Sequence, residues 1–135
     1  MSLEIFHPTL LPGAVSGGLL ILRVLLGLGL LTHGLYKLNH FSEVSQNFPA
    51  PFGLSKKMSV FGAIVGEVFL NLLVIIGLFG QLAAIGVALM FLMIYFVVHG
   101  GAKFADRELA YLYGIGYILL AITGPGAYSL DALFF

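Results

Sequence analysis

The hydrophobic pattern of this chain is one of long apolar runs separated by short polar segments. Residues 13–35 form the first run, and Arg23 is its only charged side chain. As an α-helix the run would be about 35 Å long, which is enough to cross the hydrocarbon core of a bilayer. It therefore predicts a first membrane-spanning helix at residues 13–36.

A second run extends over residues 58–98, interrupted by Ser59, Glu67, Asn71 and Gln81. One helix of that length would measure about 62 Å, twice the thickness of the hydrocarbon core. The run must fold back, and the sequence GLFG at 77–80 supplies glycines that can end a helix in the left-handed conformation. We expect spans two and three at residues 58–78 and 80–100.

The fourth run, residues 109–123, is only about 23 Å long as a helix and is borderline by itself. Extension back through ADRE gives a span at 107–123, and GPG at 124–126 ends it. The predicted fold is all-α: an integral membrane four-helix bundle of up-down topology. It forms a single transmembrane domain, residues 1–135, with a surface loop at 38–57 whose phenylalanines favour a position on the membrane surface.

The composition supports a membrane protein and excludes several other classes. Hydrophobic residues make up 60% of the chain and charged residues 9%, whereas soluble domains have about 25% charged residues. The absence of cysteine excludes disulfides, thiolate nucleophiles and cysteine-ligated iron–sulfur or zinc sites. A net charge of zero gives no case for nucleic acid. No basic segment precedes the first run, so we expect span one to be retained rather than cleaved as a signal.

The basic residues indicate an orientation. Lys37, Lys56 and Lys57 lie between spans one and two, and Lys103 and Arg107 lie between spans three and four. The other side of the membrane, with the termini and GLFG, has no lysine or arginine. The positive-inside rule therefore predicts a protein of the plasma (inner) membrane with both linkers in the cytoplasm and the termini outside.

Two similar motifs, HGLYKL and HGGAKF, lie where spans one and three end. They are either traces of two related helical hairpins or a coincidence. On a helix His33 and Lys37 share one face, as do His99 and Lys103, so these side chains should lie at one level, joined by Arg107 and Glu108 at the start of span four. These residues either form part of a functional site or are interfacial residues whose side chains only extend to the lipid headgroups.

Deeper in the predicted bundle are Arg23, about 21 Å before Lys37, and Glu67, about 15 Å after Lys57. Their depths are comparable if Lys37 and Lys57 lie at the same level. Ionised residues at such depth usually face the bundle interior and are paired, so we predict an ion pair between them, with Asn71 completing the hydrogen bonding. The pair is either a staple that fixes helix register or part of a functional site. Gly27 and Gly34, on the same face as Arg23, should let another helix approach closely.

These residues also carry a resemblance. Arg23 followed by LLG, HG and Lys37 in span one, Gly-Glu in span two, FADRELA and the closing GPGAYSLD together resemble the DoxX family of small four-helix membrane proteins. The positions that match its recurring polar pattern are Arg23, His33, Lys37, Glu67, Glu108, Ser129 and Asp131. Some relatives are associated with quinone-linked sulfur oxidation, as membrane subunits of a thiosulfate:quinone oxidoreductase, or with membrane complexes that handle oxidative stress. The resemblance implies a fold more firmly than a reaction.

Two functional hypotheses follow. In the first, an interior polar pocket makes the protein the quinone-interacting membrane subunit of a redox system. His33, His99, Tyr113 and Glu108 would supply hydrogen bonds, and a partner subunit would supply electrons. Two histidines at helix ends are common, which disfavours a haem held by His33 and His99.

In the second hypothesis the protein is a non-enzymatic membrane module that binds a partner subunit, a lipid or a small solute, or forms a homo-oligomer. No intrinsic cofactor and no metal site are evident in the sequence. The candidate pocket residues are Arg23, His33, Lys37, Glu67, Asn71, His99, Lys103, Glu108 and Tyr113.

Overall fold

A computed structural model describes residues 13–135 of the chain, and these residues contain helices and no strand. The predicted all-α fold is therefore confirmed. The expectation about the segment before the first run lies outside the described residues. In chain order the helices are α1 Gly13–Asn39, α2 Phe41–Val44, α3 Lys56–Ile76, α4 Gly80–Val98, α5 Phe104–Thr123 and α6 Leu130–Phe134.

Three of the long helices, α1, α3 and α4, are long and apolar enough to cross a membrane. The chain is accordingly an all-α membrane protein. Three of the predicted spans are confirmed as helices of membrane-spanning length and composition. Helix α5 is the fourth long helix, but three charged residues, Asp106, Arg107 and Glu108, lie in its first two turns. Its role as a fourth span stays a prediction.

The fold-back between α3 and α4 lies at the predicted GLFG turn. Gly77 adopts the left-handed conformation, with φ of 75°, and its N–H donates to the Leu73 carbonyl at 2.8 Å. The next N–H, of Leu78, donates to the same carbonyl at 3.0 Å. These bonds satisfy carbonyls that the end of a helix leaves free, which is why a glycine here reverses the chain within a few residues.

Helices α1 and α3 are antiparallel and cross closely at two glycines. A Cβ atom at Gly34 would lie 2.8 Å from the Glu67 Cβ and 3.1 Å from the Glu67 carbonyl carbon. At Gly27 a Cβ would lie 2.8 Å from the Ile75 Cδ1. The expected close approach is confirmed, and it fixes the register because Gly34 must lie level with Glu67 and Gly27 level with the end of α3.

The core between α4 and α5 is built from small side chains and a few aromatics. Ala84 and Val87 of α4 are fully buried, as is Tyr117 of α5. Large apolar side chains face outward instead, among them Leu25 and Phe96. This distribution suits a bundle in lipid, where close packing of small residues holds the helices together.

Two segments have π-helical geometry, Val65–Leu70 within α3 and Ile94–Val98 at the end of α4. Such segments are rare and are frequent at functional sites. Helix α4 ends before His99, Gly101 has a φ of 97°, and Lys103 precedes the first residue of α5. The prediction that His99 and Lys103 share a helix face is therefore wrong, because the chain turns between them.

The 1–2 linker is partly structured. Helix α1 continues to Asn39, α2 follows, and a 3₁₀ turn forms at Pro51–Gly53. The side chain of Lys56 donates to the Gln46 carbonyl at 2.9 Å and so links the first residue of α3 to the linker. A position on the membrane surface stays a prediction.

The crossing at Gly34 gives a first test. The change Gly34→Ala should destabilise the fold by about 1–3 kcal/mol despite the better helix propensity of alanine, because its Cβ would overlap α3. Thermal unfolding in detergent, followed by circular dichroism, measures the effect. Gly18→Ala is the control in the same helix, since a Cβ there would meet nothing within 4 Å. Equal melting temperatures for the two variants would contradict the crossing.

Candidate functional site

A cavity of about 690 Å³ lies between α1, the 1–2 linker, α3, α4 and α5. It occupies the half of the bundle nearest the 1–2 linker, because it is lined by the last turns of α1 and α4 and the first turns of α3 and α5. Its walls are largely apolar and include Leu30, Phe48, Phe52, Leu54, Met58, Leu89, Met90, Phe91, Met93, Ile94 and Val98.

Four polar residues line the cavity further from the linker end than its other polar residues, and we call His33, Lys37, Glu67 and Tyr113 the inner polar group. Of these, His33 is exposed. Lys37 Nζ donates to Glu67 Oε1 at 2.8 Å. The Glu67 residue is only 4% exposed, while the Lys37 side chain keeps 20% of its surface. The His33 ring stands edge-on to the Tyr113 ring, with centroids 6.2 Å apart. The ion pair is thus buried at Glu67 and partly exposed at Lys37.

The predicted ion pair between Arg23 and Glu67 is wrong, since the carboxylate is bound by Lys37. The prediction assumed that Lys57 lies level with Lys37. In the structure Gly34 lies level with Glu67, so Glu67 is close to the level of Lys37. Lys57 is therefore about 10 Å nearer the linker end than Lys37. Arg23 is about 16 Å further along α1 from Gly34, out of reach of the carboxylate.

Arg23 instead anchors the segment after α5. Its Nε donates to the Ile75 carbonyl at 3.1 Å, its Nη1 to the Pro125 carbonyl at 2.8 Å, and its Nη2 to the Tyr128 carbonyl. Nearby, the carboxylate of Asp131 accepts from the backbone N–H groups of Phe79 and Gly80, at 2.7 and 2.8 Å. A carboxylate is favoured at the start of a helix, here α4. The motif GPGAYSLD is thus tied to the bundle through long-range contacts.

Asn71 also has a different role from the predicted one. Its Nδ2 donates to the Gly27 carbonyl at 2.7 Å, and its Oδ1 accepts from the Tyr117 hydroxyl. The amide therefore links α1, α3 and α5 rather than completing the hydrogen bonding of Glu67. Gln81 makes a similar link, donating to the Ala121 carbonyl at 2.7 Å.

Nearer the surface, Ser59, His99 and Arg107 also line the cavity, and we call them the rim group. Arg107 lies 4.3 Å above the Tyr95 ring and donates from Nη1 to the Tyr95 carbonyl at 3.3 Å. Within residues 13–135, Ser59 Oγ and Arg107 Nε are buried side-chain atoms without a hydrogen-bond partner. A donor left so costs about 1–3 kcal/mol, so both atoms are suited to a bound acceptor.

The cavity brings together five of the candidate residues: His33, Lys37, Glu67, His99 and Tyr113. Arg23 and Asn71 are buried but bind backbone carbonyls elsewhere in the bundle. Lys103 and Glu108 are exposed and do not line it. The described part of the chain contains no cluster of three histidine or acidic residues that could hold a metal ion.

Sequence reasoning missed Ser59 as a site residue, and it placed Arg107 in the polar layer at the helix ends without naming it as a candidate pocket residue. For Arg107 the signal was its place in ADRE, at the start of the fourth apolar run and level with the end of span three. The linker residues Phe48 and Phe52, whose aromatic character favoured a loop on the membrane surface, also line the cavity.

The apolar helices, with the buried side chains of Arg23, Glu67 and Asn71 hydrogen-bonded inside the bundle and a cavity at one end, define an integral membrane protein of the small helical-bundle class. The DoxX family model matches residues 18–100. The chain belongs to the DoxX family, as the sequence motifs had indicated. Helix α5, with Arg107 and Tyr113, lies outside the matched residues.

Two relatives have a similar length. The inner membrane protein YqjF of Escherichia coli (strain K12) is 29% identical, over 86% of this chain and 91% of the relative. An uncharacterized protein of Haemophilus influenzae is 29% identical, over 90% of this chain and 86% of the relative. No solved structure gives a significant match.

The ion pair gives a second test. Lys37→Met leaves the Glu67 carboxylate buried without its cation and should lower the melting temperature more than Lys37→Met combined with Glu67→Leu, because an unpaired buried charge is worse than none. Lys103→Met, which alters an exposed lysine outside the cavity, should change little. A double variant less stable than both single variants would contradict the pairing.

The Arg23 contacts give a third test. Arg23→Gln removes the hydrogen bonds that Arg23 donates to the Pro125 and Tyr128 carbonyls, so the backbone amides of residues 124–135 should exchange hydrogen faster. Hydrogen exchange with mass spectrometry in detergent measures this. Arg107→Gln, the matched change at the other arginine, should leave exchange in this segment unaltered. Unchanged exchange in Arg23→Gln would show that other contacts hold the segment.

Proposed function

We propose that the protein is the quinone-interacting membrane subunit of a redox system and that the cavity binds the quinone ring. The observation that supports this most is an apolar cavity of about 690 Å³ that is lined by both residues of the Lys37–Glu67 ion pair. Sites for small apolar ligands typically combine apolar walls with a few convergent polar groups. A quinone has this character, since its ring and tail are apolar and its carbonyl oxygens accept hydrogen bonds.

The inner polar group suits the proton chemistry of a quinone. Reduction to the quinol takes up two electrons and two protons, so a quinone site needs donors and a route for protons. The Tyr113 hydroxyl and the His33 ring would donate hydrogen bonds to the carbonyls. The Lys37–Glu67 pair, in which the lysine side chain keeps 20% of its surface exposed, would pass protons inward. The Tyr113 ring stacks on Phe91, with centroids 5.5 Å apart, and presents a flat wall to the ring.

Electrons must come from a partner subunit in this proposal. The chain has no cysteine and cannot ligate an iron–sulfur cluster through thiolates. A partner would dock on the linker side, where the cavity lies. This role agrees with the redox associations of the family that the sequence resemblance implied.

The location belongs to the same proposal. A relative named as an inner membrane protein supports the inner membrane for this chain too. The basic linkers would then face the cytoplasm, so protons would enter the cavity from the cytoplasmic side.

Titration of the purified protein in neutral detergent with decylubiquinone, followed by native mass spectrometry, tests the proposal. Tyr113→Phe keeps the ring and removes the hydroxyl, so it should weaken binding about fivefold, as expected for one hydrogen bond. Tyr111→Phe is the matched control, because Tyr111 lies on the same helix, is exposed and does not line the cavity. Equal affinities for these two variants and the unaltered protein would refute quinone binding at the inner polar group.

The non-enzymatic module is the second candidate, and the unpartnered atoms of the rim group favour it. Mass spectrometry of the lipids that copurify with the protein distinguishes the two functions. A bound quinone supports the redox role, whereas a phospholipid or acyl lipid alone supports the module.

A further inference from the structure

We propose that the rim group is an anion subsite, in which Arg107 and Ser59 bind the carboxylate or phosphate of a membrane amphiphile whose chain lies in the cavity. The subsite is separate from the inner polar group. Arg107 is about 9 Å nearer the linker end than Tyr113, and Ser59 is about 12 Å nearer than Glu67, by helix rise. The inference therefore does not rest on quinone binding.

The first argument is the charge of Arg107. Among residues 13–135 the single ion pair is Lys37–Glu67, so no carboxylate lies within bridging distance of the Arg107 guanidinium. Its side chain nevertheless lies against the cavity, and its Nε is buried without an acceptor. A guanidinium that is drawn out of water without a counterion is unfavourable, and a bound anion would supply the missing charge.

The second argument is the direction in which Arg107 is held. One edge of the guanidinium is occupied, because Nη1 donates to the Tyr95 carbonyl and the group lies over the Tyr95 ring. The edge that carries Nε is without a partner. Arginine binds carboxylates and phosphates through two parallel N–H groups, so the edge that carries Nε is the one that an anion would take.

Ser59 supplies an independent donor from another helix. A serine inside a helix commonly donates to the carbonyl four residues earlier, yet Ser59 Oγ has no hydrogen-bond partner in the described residues and is buried. It lines the same cavity as Arg107. Two unpartnered donors, one on α3 and one on α5, thus occur at the same end of one cavity.

The remaining walls select an amphiphile over a free inorganic ion. Phe48, Phe52, Met93 and Val98 line the same cavity as the rim group and give it apolar surface, which suits an acyl chain. Asp106 is the one acidic residue that lines the cavity near Arg107; it is exposed and forms no ion pair with that residue in the described chain. Its charge would oppose an anion, so neutralising it should strengthen binding.

The test measures an anionic amphiphile directly. Purified protein in neutral detergent is titrated with the fluorescent fatty acid cis-parinarate and, in a second arm, with phosphatidylglycerol by native mass spectrometry. Arg107→Gln should weaken binding of the preferred anion about tenfold or more, and Ser59→Ala by a smaller factor. Asp106→Asn should strengthen it. The methyl ester of cis-parinaric acid, which has the same chain without the charge, should bind as weakly as cis-parinarate binds Arg107→Gln.

Lys103→Gln is the matched control, since it removes one positive charge from an exposed residue outside the cavity. If Lys103→Gln and Arg107→Gln weaken anion binding equally, the effect comes from the general surface charge, and the proposed subsite is overturned. Binding of the ester as tight as the acid would also overturn it. If Arg107→Gln does not fold, Arg107→Lys keeps the charge without the planar fork and should still bind more weakly than the unaltered protein. Preference between the two arms identifies the carboxylate or the phosphate as the anion.

Discussion

The close crossing of α1 and α3 is the constraint on which the rest of the structure depends. Without side chains at Gly27 and Gly34 the two backbones approach until Gly34 contacts Glu67. This single register sets the partners of the charged residues. It brings Glu67 to Lys37, aligns Asn71 with the Gly27 carbonyl, and leaves Arg23 at the opposite end of the bundle. A shift of one helical turn, about 5.4 Å, would break these contacts, so the glycines determine the electrostatics as well as the packing.

The bundle has two unlike halves. At the end with the α3–α4 turn, the buried polar groups are matched to backbone, as Arg23 is to three carbonyls and Asp131 to two N–H groups. In lipid such matching is required, because no water is present to replace a missing hydrogen bond. At the linker end the cavity, the π-helical segment Ile94–Val98 and the unpartnered atoms of Ser59 and Arg107 occur together. We interpret the first half as the structural part of the protein and the second as its binding part.

Much of the candidate site could be predicted because polar residues are rare in an apolar chain. Each one in a span is conspicuous, and His33, Lys37, Glu67, His99 and Tyr113 do line one cavity. Arg23 and Asn71 were equally conspicuous, yet they bind backbone carbonyls, which no side-chain pattern reveals. Ser59 was overlooked because an isolated serine in a helix ordinarily needs no explanation. Its importance depends on which atoms surround it.

The sequence by itself determined the membrane class, the lengths of the first three long helices, the fold-back at Gly77 and the family. These follow from local properties, namely hydrophobicity, helix rise and the left-handed conformation of glycine. Only the tertiary structure decided which charges pair. A depth estimated from one helix end carries an error of several residues. An ion pair requires its two groups to lie within a few ångströms, so an error of that size decides whether the pair forms. The register of α1 against α3 is set by backbone contacts at glycines, and the sequence shows that such contacts can form but not their level.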